Sequence, residues 1–105
     1  MHLVAVTACP TGIAHTYMAA ERLEKAAKKL GHTIRVETQG AMGIENALTA
    51  DDLERAVVVL LAAGIPVRGR ERFEHLRVVE ASVQEAIKDA ERLVSAAVGS
   101  VPAIP

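Results

Sequence analysis

With 105 residues the chain has room for one domain and one core. Half of it is hydrophobic, and most of that is aliphatic, with Tyr17 and Phe73 the only aromatic side chains; such a core suits parallel strands under Ala-rich helices. A formal charge of −1, without an interleaved basic and aromatic stripe, argues against nucleic acid as a partner. Nor does any apolar run approach the ~20 residues that cross a bilayer, so a soluble protein is expected, reaching a membrane only through a partner.

Leu3 to Ala8 is continuously apolar and reads as a buried central strand. It breaks into Cys9-Pro10-Thr11-Gly12-Ile13-Ala14-His15-Thr16, and from Ala14 to Leu30 the apolar residues recur at helical spacing until Gly31 stops them. Thr33 to Thr38 alternates apolar and polar, which predicts a strand at or near a sheet edge. Gln39 to Gly43 is expected to be a loop. Thr49, followed by Asp51 and Asp52, predicts an N-cap and a short helix to Arg55.

Ala56 to Ala62 predicts a strand buried on both faces, and Gly64 to Arg70 a loop rich in Gly, Pro and Arg. Arg77 to Glu80 suggests a last short strand. Ser82 and Glu85 have the spacing of a capping box for one helix from Val83 to Val98. Residues 1–98 are therefore expected to form the domain, and 99–105 a flexible tail or linker. Strand and helix alternate throughout. The expected fold is a three-layer α/β/α sandwich, Rossmann-like, on a four-stranded parallel sheet. In such sheets the active crevice lies beyond the carboxyl ends of the strands. Cys9, Gln39-Gly40 and Ala63-Gly64 should meet there.

Cys9 is the only cysteine, so no internal disulfide can form and the cytoplasm is the expected compartment. A thiol where a strand turns into a helix N-terminus is set beside partial positive charge and inward-pointing N–H groups, which favours the thiolate and a bound phosphate. No Gly-Lys-Ser/Thr follows, so this is not a Walker A loop. One thiol with scattered histidines makes no zinc ligand set, and neither metal nor cofactor is expected. The spacing resembles the Cys-x5-Arg-Ser/Thr loop of low-molecular-weight tyrosine phosphatases, with His15 in the arginine's place and Thr16 in the hydroxyl's. His cannot copy the bidentate arginine fork, and no Asp-Pro acid is present. Such a loop should accept a phosphoryl group on sulfur and release it slowly to water, as a carrier must. A phosphatase, or a regulatory module that only binds, is the alternative. Arg68, Arg70, Arg72 and Arg77 form either a solvated face or a basic lip for an acidic partner.

The stretches Val4 to Glu21, Val36 to Gly40 and Gly43 to Asn46 resemble the fructose-specific enzyme IIB component of the bacterial phosphoenolpyruvate-dependent sugar phosphotransferase system; Arg72-Phe73 and Glu85-Ala86-Ile87 also match. The resemblance implies that Cys9 takes phosphate from a phosphohistidine of enzyme IIA and passes it to fructose, or a similar sugar, held by the membrane permease, enzyme IIC. It makes the chain a phosphohistidine–sugar phosphotransferase with a phosphocysteine intermediate, at the inner face of the membrane through enzyme IIC; a monomer is the default expectation. It assigns Pro10, Thr11, Gly12, Ile13, Ala14, His15 and Thr16 to the phosphate loop. Gln39, Gly40, Gly64, Arg68 and Arg70 are candidate rim or partner residues. One stretch departs from the pattern: after the third strand the family carries Ala-Ala-Asp and a further acid, whereas this chain has Ala62-Ala63-Gly64 and then Arg68-Gly69-Arg70.

Overall fold

The computed structural model describes residues 1–9 and 13–101. Its centre is β1 (His2–Ala8), whose residues from Leu3 to Ala8 are all buried. β2 (Thr33–Gly40) lies parallel on one side of it, with Leu3 opposite Ile34 and Ala8 opposite Gln39. β4 (Val58–Ala63) lies parallel on the other side, with Ala8 opposite Ala63, and β5 (Arg77–Ala81) extends the sheet beyond it.

The fifth strand, β3 (Gly43–Glu45), pairs antiparallel with β2, giving the order β3-β2-β1-β4-β5. The expected four parallel strands are present, and β3 adds a strand where a loop was expected. A two-residue turn at Ala41-Met42, between paired Gly40 and Gly43, reverses the chain. Gly43 has a φ of 91°, a conformation open to glycine at little cost.

α1 (Ile13–Lys29), α3 (Val83–Lys88) and α4 (Ala90–Gly99) cover one face, where Leu3, Ala5, Val36, Val58 and Leu60 meet Ala19, Leu23, Ala86, Leu93 and Val94. The other face is thinner. Val4, Val6, Val59 and Leu61 pack there against Leu48, Ala56 and Phe73, beside the six-residue α2 (Ala50–Arg55) and a 3-10 turn at Arg70–Phe73.

Helix ends follow their capping residues. Gly31, at φ 83°, closes α1 in a Schellman motif: the His32 N–H reaches Ala27 O at 2.8 Å and the Gly31 N–H reaches Lys28 O at 3.1 Å. Thr49 with Asp52, and Ser82 with Glu85, each form a complete capping box.

The single helix expected from Val83 to Val98 is two. Asp89, at φ −130° and ψ 42°, separates them, and its carbonyl accepts the Leu93 N–H at 3.0 Å as that of an N-cap does. Arg22 Nη1 donates to Ile87 O at 3.2 Å beside the break. α4 runs through Gly99, and Val101 still touches the core, while 102–105 lie outside the described residues.

Candidate phosphoryl site at the end of the central strand

The chain leaves β1 first to β2 on one side and later to β4 on the other. β1 is therefore the switch point of the sheet, where the loops after the two neighbouring strands diverge and leave a crevice. Cys9 sits there. Its N–H donates to Gln39 O at 3.3 Å, and the Gly64 N–H donates to Ala8 O at 2.9 Å, so the three loops expected at one end do meet. Cys9 is half-buried and packs against the core on the α1 side.

Pro10, Thr11 and Gly12 lie outside the described residues. α1 begins at Ile13, four residues after Cys9, so Ala14, His15 and Thr16 form its first turn. Ala14 and His15 are exposed and Thr16 is buried. The buried Thr7 hydroxyl donates to Thr16 O at 3.1 Å, tying this turn to β1. No acidic residue stands in the first turn of α1, whereas Lys28 and Lys29 stand in the last. The positive end of the helix dipole is left unneutralised by any carboxylate of its own first turn, and the negative end is matched.

The other expected residues divide. Gln39 and Gly40 end β2 beside Cys9, and Arg68 lies against Gln39. Arg70 turns toward the outer strand, where its Nη2 lies 2.6 Å from Glu80 Oε1 on β5.

Sequence reasoning missed a buried polar network beneath this end of the sheet. Glu37, with no exposed surface, accepts from Arg72 Nη1 at 2.9 Å, Arg72 Nη2 at 3.0 Å, Gln39 Nε2 at 2.8 Å and the Leu48 N–H at 3.0 Å. Burial alone would push its carboxyl up. The hydrogen bonds from Arg72, Gln39 and Leu48 outweigh it and hold the group below the usual carboxylate range. The Arg72 guanidinium also lies 4.9 Å from the centre of the Phe73 ring. The only hint in the sequence is Arg72 beside the sole phenylalanine.

Nearby, the Tyr17 hydroxyl donates to Glu45, which joins α1 to β3 and pushes that hydroxyl's pKa up. Met42 and Ile44 on the β2–β3 hairpin are exposed.

Among the described residues no helix is long and apolar enough to cross a membrane. The family model described as "PTS system, Lactose/Cellobiose specific IIB subunit" matches residues 4–96. "PTS system fructose-like EIIB component 2" of Escherichia coli K12 is 48% identical over 93 residues, covering 89% of this chain and 88% of that protein. The 2-O-alpha-mannosyl-D-glycerate-specific EIIABC component of the same organism is 52% identical over 95 residues, which are 90% of this chain and 14% of that one. A crystal structure of a domain from the fructose-specific IIABC component of Borrelia burgdorferi superimposes with a TM-score of 0.89 at 47% identity, covering 98% of this chain and 97% of that one. A strand-end cysteine at the switch point, a helix N-terminus beyond it and these likenesses converge: the chain belongs to the enzyme IIB family of the sugar phosphotransferase system, as a fructose-like IIB component with a role in phosphoryl transfer.

Proposed function

We propose that Cys9 is the phosphoryl carrier of this domain, taking phosphate from a phosphohistidine of enzyme IIA and delivering it to a fructose-like sugar held by enzyme IIC. The observation that carries the reading is the position of Cys9 at the switch point, followed within four residues by an α1 N-terminus whose first turn holds no acid. A thiolate is the form that attacks phosphorus, and the positive end of a helix dipole stabilises it.

In the first step the Cys9 sulfur forms an S–P bond as the P–N bond of the phosphohistidine breaks, and the imidazole keeps the bonding pair. In the second, a sugar hydroxyl oxygen forms the O–P bond, the S–P bond breaks and the thiolate returns; the hydroxyl proton leaves to a base on the acceptor side. Little covalent help is needed. Positioning and fixed N–H dipoles supply most of the rate. The motif gives the N–H groups from Thr11 to His15 the role of holding the equatorial oxygens, with the Thr11 and Thr16 hydroxyls as further donors. His15, exposed on the first turn, is placed to add a donor or a positive charge. The site of action is the cytoplasmic face of the membrane, where enzyme IIC presents the sugar.

The direct functional test is sugar phosphorylation by a reconstituted donor chain and permease with Cys9→Ser. Loss of product to background is expected, and sugar phosphate formed by that variant at a substantial rate refutes the carrier role.

A further inference from the structure

The segment from Gly64 to Arg68 is a strap across the end of β1. At one end the Gly64 N–H is bound to Ala8 on β1, and at the other the Arg68 main chain is bound to Gln39 on β2. One contact is to the last residue of β1, immediately before Cys9, and the other is to the neighbouring strand β2. The Gln39 carboxamide makes a paired contact with that main chain: its Oε1 accepts the Arg68 N–H at 2.8 Å and its Nε2 donates to Arg68 O at 3.0 Å.

The amide has only one workable orientation. Nε2 also faces Glu37 Oε2 at 2.8 Å, and an ionised carboxylate accepts but does not donate. Glu37 is locked in turn by the bidentate Arg72. Arg72 further holds the strap through its Nε to Gly69 O at 2.8 Å and its Nη2 to Arg68 O at 3.0 Å. Gln39 thus binds both the Cys9 backbone, through its carbonyl, and the strap, through its carboxamide.

All this fixes the main chain of Arg68 and leaves its side chain outside. Among the described residues no hydrogen bond or ion pair engages the Arg68 guanidinium, whereas its neighbours are engaged, Arg70 by Glu80 and Arg72 by Glu37. A rigidly mounted main chain carrying one unspent, exposed cation is a poor investment in stability and a good arrangement for meeting an anion.

We infer that Arg68 is the cation that meets the phosphoryl-bearing surface of the donor, and that Gln39, oriented by Glu37 and Arg72, is its positioning residue. This rests on the reading of Cys9 as phosphoryl carrier. The contact contributes donor affinity and its salt dependence, while the chemistry stays with Cys9.

The test is transfer from enzyme IIA, charged through a phosphoenolpyruvate-driven donor chain, to the whole protein. Arg68→Ala removes no side-chain hydrogen bond or ion pair among the described residues and should leave the denaturation midpoint nearly unchanged. It should raise KM for the phosphorylated donor about tenfold, the equivalent of one charge-assisted hydrogen bond. Its kcat should stay within about twofold and its KM should lose much of its dependence on salt. Arg68→Lys should restore most of the affinity. Gln39→Met, which keeps length and removes all three side-chain hydrogen bonds, two to Arg68 and one to Glu37, should raise KM about threefold alone and add nothing to Arg68→Ala.

An Arg68→Ala protein with wild-type KM and salt response overturns the inference, whatever becomes of Gln39→Met. Multiplying effects of the two substitutions overturn the positioning role. A wild type that never acquires phosphate on Cys9 refutes the carrier reading itself, an outcome distinct from both.

Discussion

Two buried carboxylates sit at opposite ends of the same sheet, and their surroundings are nearly mirror solutions to one problem. At the carboxyl end of the strands Glu37 is met by Arg72, Gln39 and the Leu48 N–H. At the amino end Asp52 is met by His2 at 3.2 Å, Arg35 at 3.1 Å and the N–H and hydroxyl of Thr49 at 3.0 and 2.8 Å. Burial alone would push the Asp52 carboxyl up. The Thr49, His2 and Arg35 contacts outweigh it and lower it from 3.8 to about 2. Each network ties β2 to an element on the thin face of the sheet, yet only the Glu37 network continues through Gln39 to Cys9. Both networks satisfy a buried carboxylate on this face, and only one of them also reaches Cys9.

The comparison can be broken first at Glu37. Glu37→Ala leaves Arg72 half-buried without its partner and strands the Leu48 N–H, which should cost about 3 kcal/mol, read as a fall in urea midpoint at unchanged slope. Because Gln39 loses its orienting contact, the strap should loosen too, and donor KM should rise with it. A Glu37→Ala protein of wild-type stability removes the case that this network holds the site.

Asp52→Asn should cost less, about 1 kcal/mol, because solvent screens a pair whose Arg35 partner is partly exposed, and it should leave phosphoryl transfer to Cys9 unchanged. Altered donor KM in this variant would show that the two ends are not independent. The pH dependence sharpens the point. A carboxyl held below its ordinary value stabilises the fold fully above that value, and its contribution fades as pH falls through the folded one. The stability gap between wild type and Asp52→Asn should therefore be constant above about pH 5 and close as pH falls toward 2.

No larger is the effect of Gly31→Ala, remote from both networks. An added Cβ would meet nothing within 4 Å, so the cost is only the positive φ, about 1 kcal/mol in thermal or urea unfolding.

What could be read from the chain beforehand follows the range of the interactions involved. The buried β1 with Cys9 at its end, α1 with its glycine stop, the Thr49 N-cap and the Ser82–Glu85 capping box are written in adjacent residues and were legible. The alternation in β2 was legible too, but its meaning was not. Glu37 lay in a strand expected at or near a sheet edge and Gln39 in an expected loop, yet both are covered by polar partners far along the chain, 35 residues away for Arg72 and 29 for Arg68. No local pattern marks such partners. The β3 hairpin had a signal, two residues between paired glycines, but Ile44 is the only aliphatic side chain within that three-residue strand, and no alternation reveals it. The break at Asp89 was hidden because apolar residues keep helical spacing on both sides of it. Of the site, the place of Cys9 at the end of the central strand was legible, and the Glu37–Arg72 network that mounts the strap behind it was not.

The most direct test of the central claim is intact-mass spectrometry of the protein after incubation with phosphoenolpyruvate-driven enzyme IIA, wild type beside Cys9→Ser. A gain of one phosphoryl group on the wild type, absent from the variant and mapped to Cys9, is the predicted result. Phosphate released to solution with no adduct, or an equal adduct on Cys9→Ser, would contradict it.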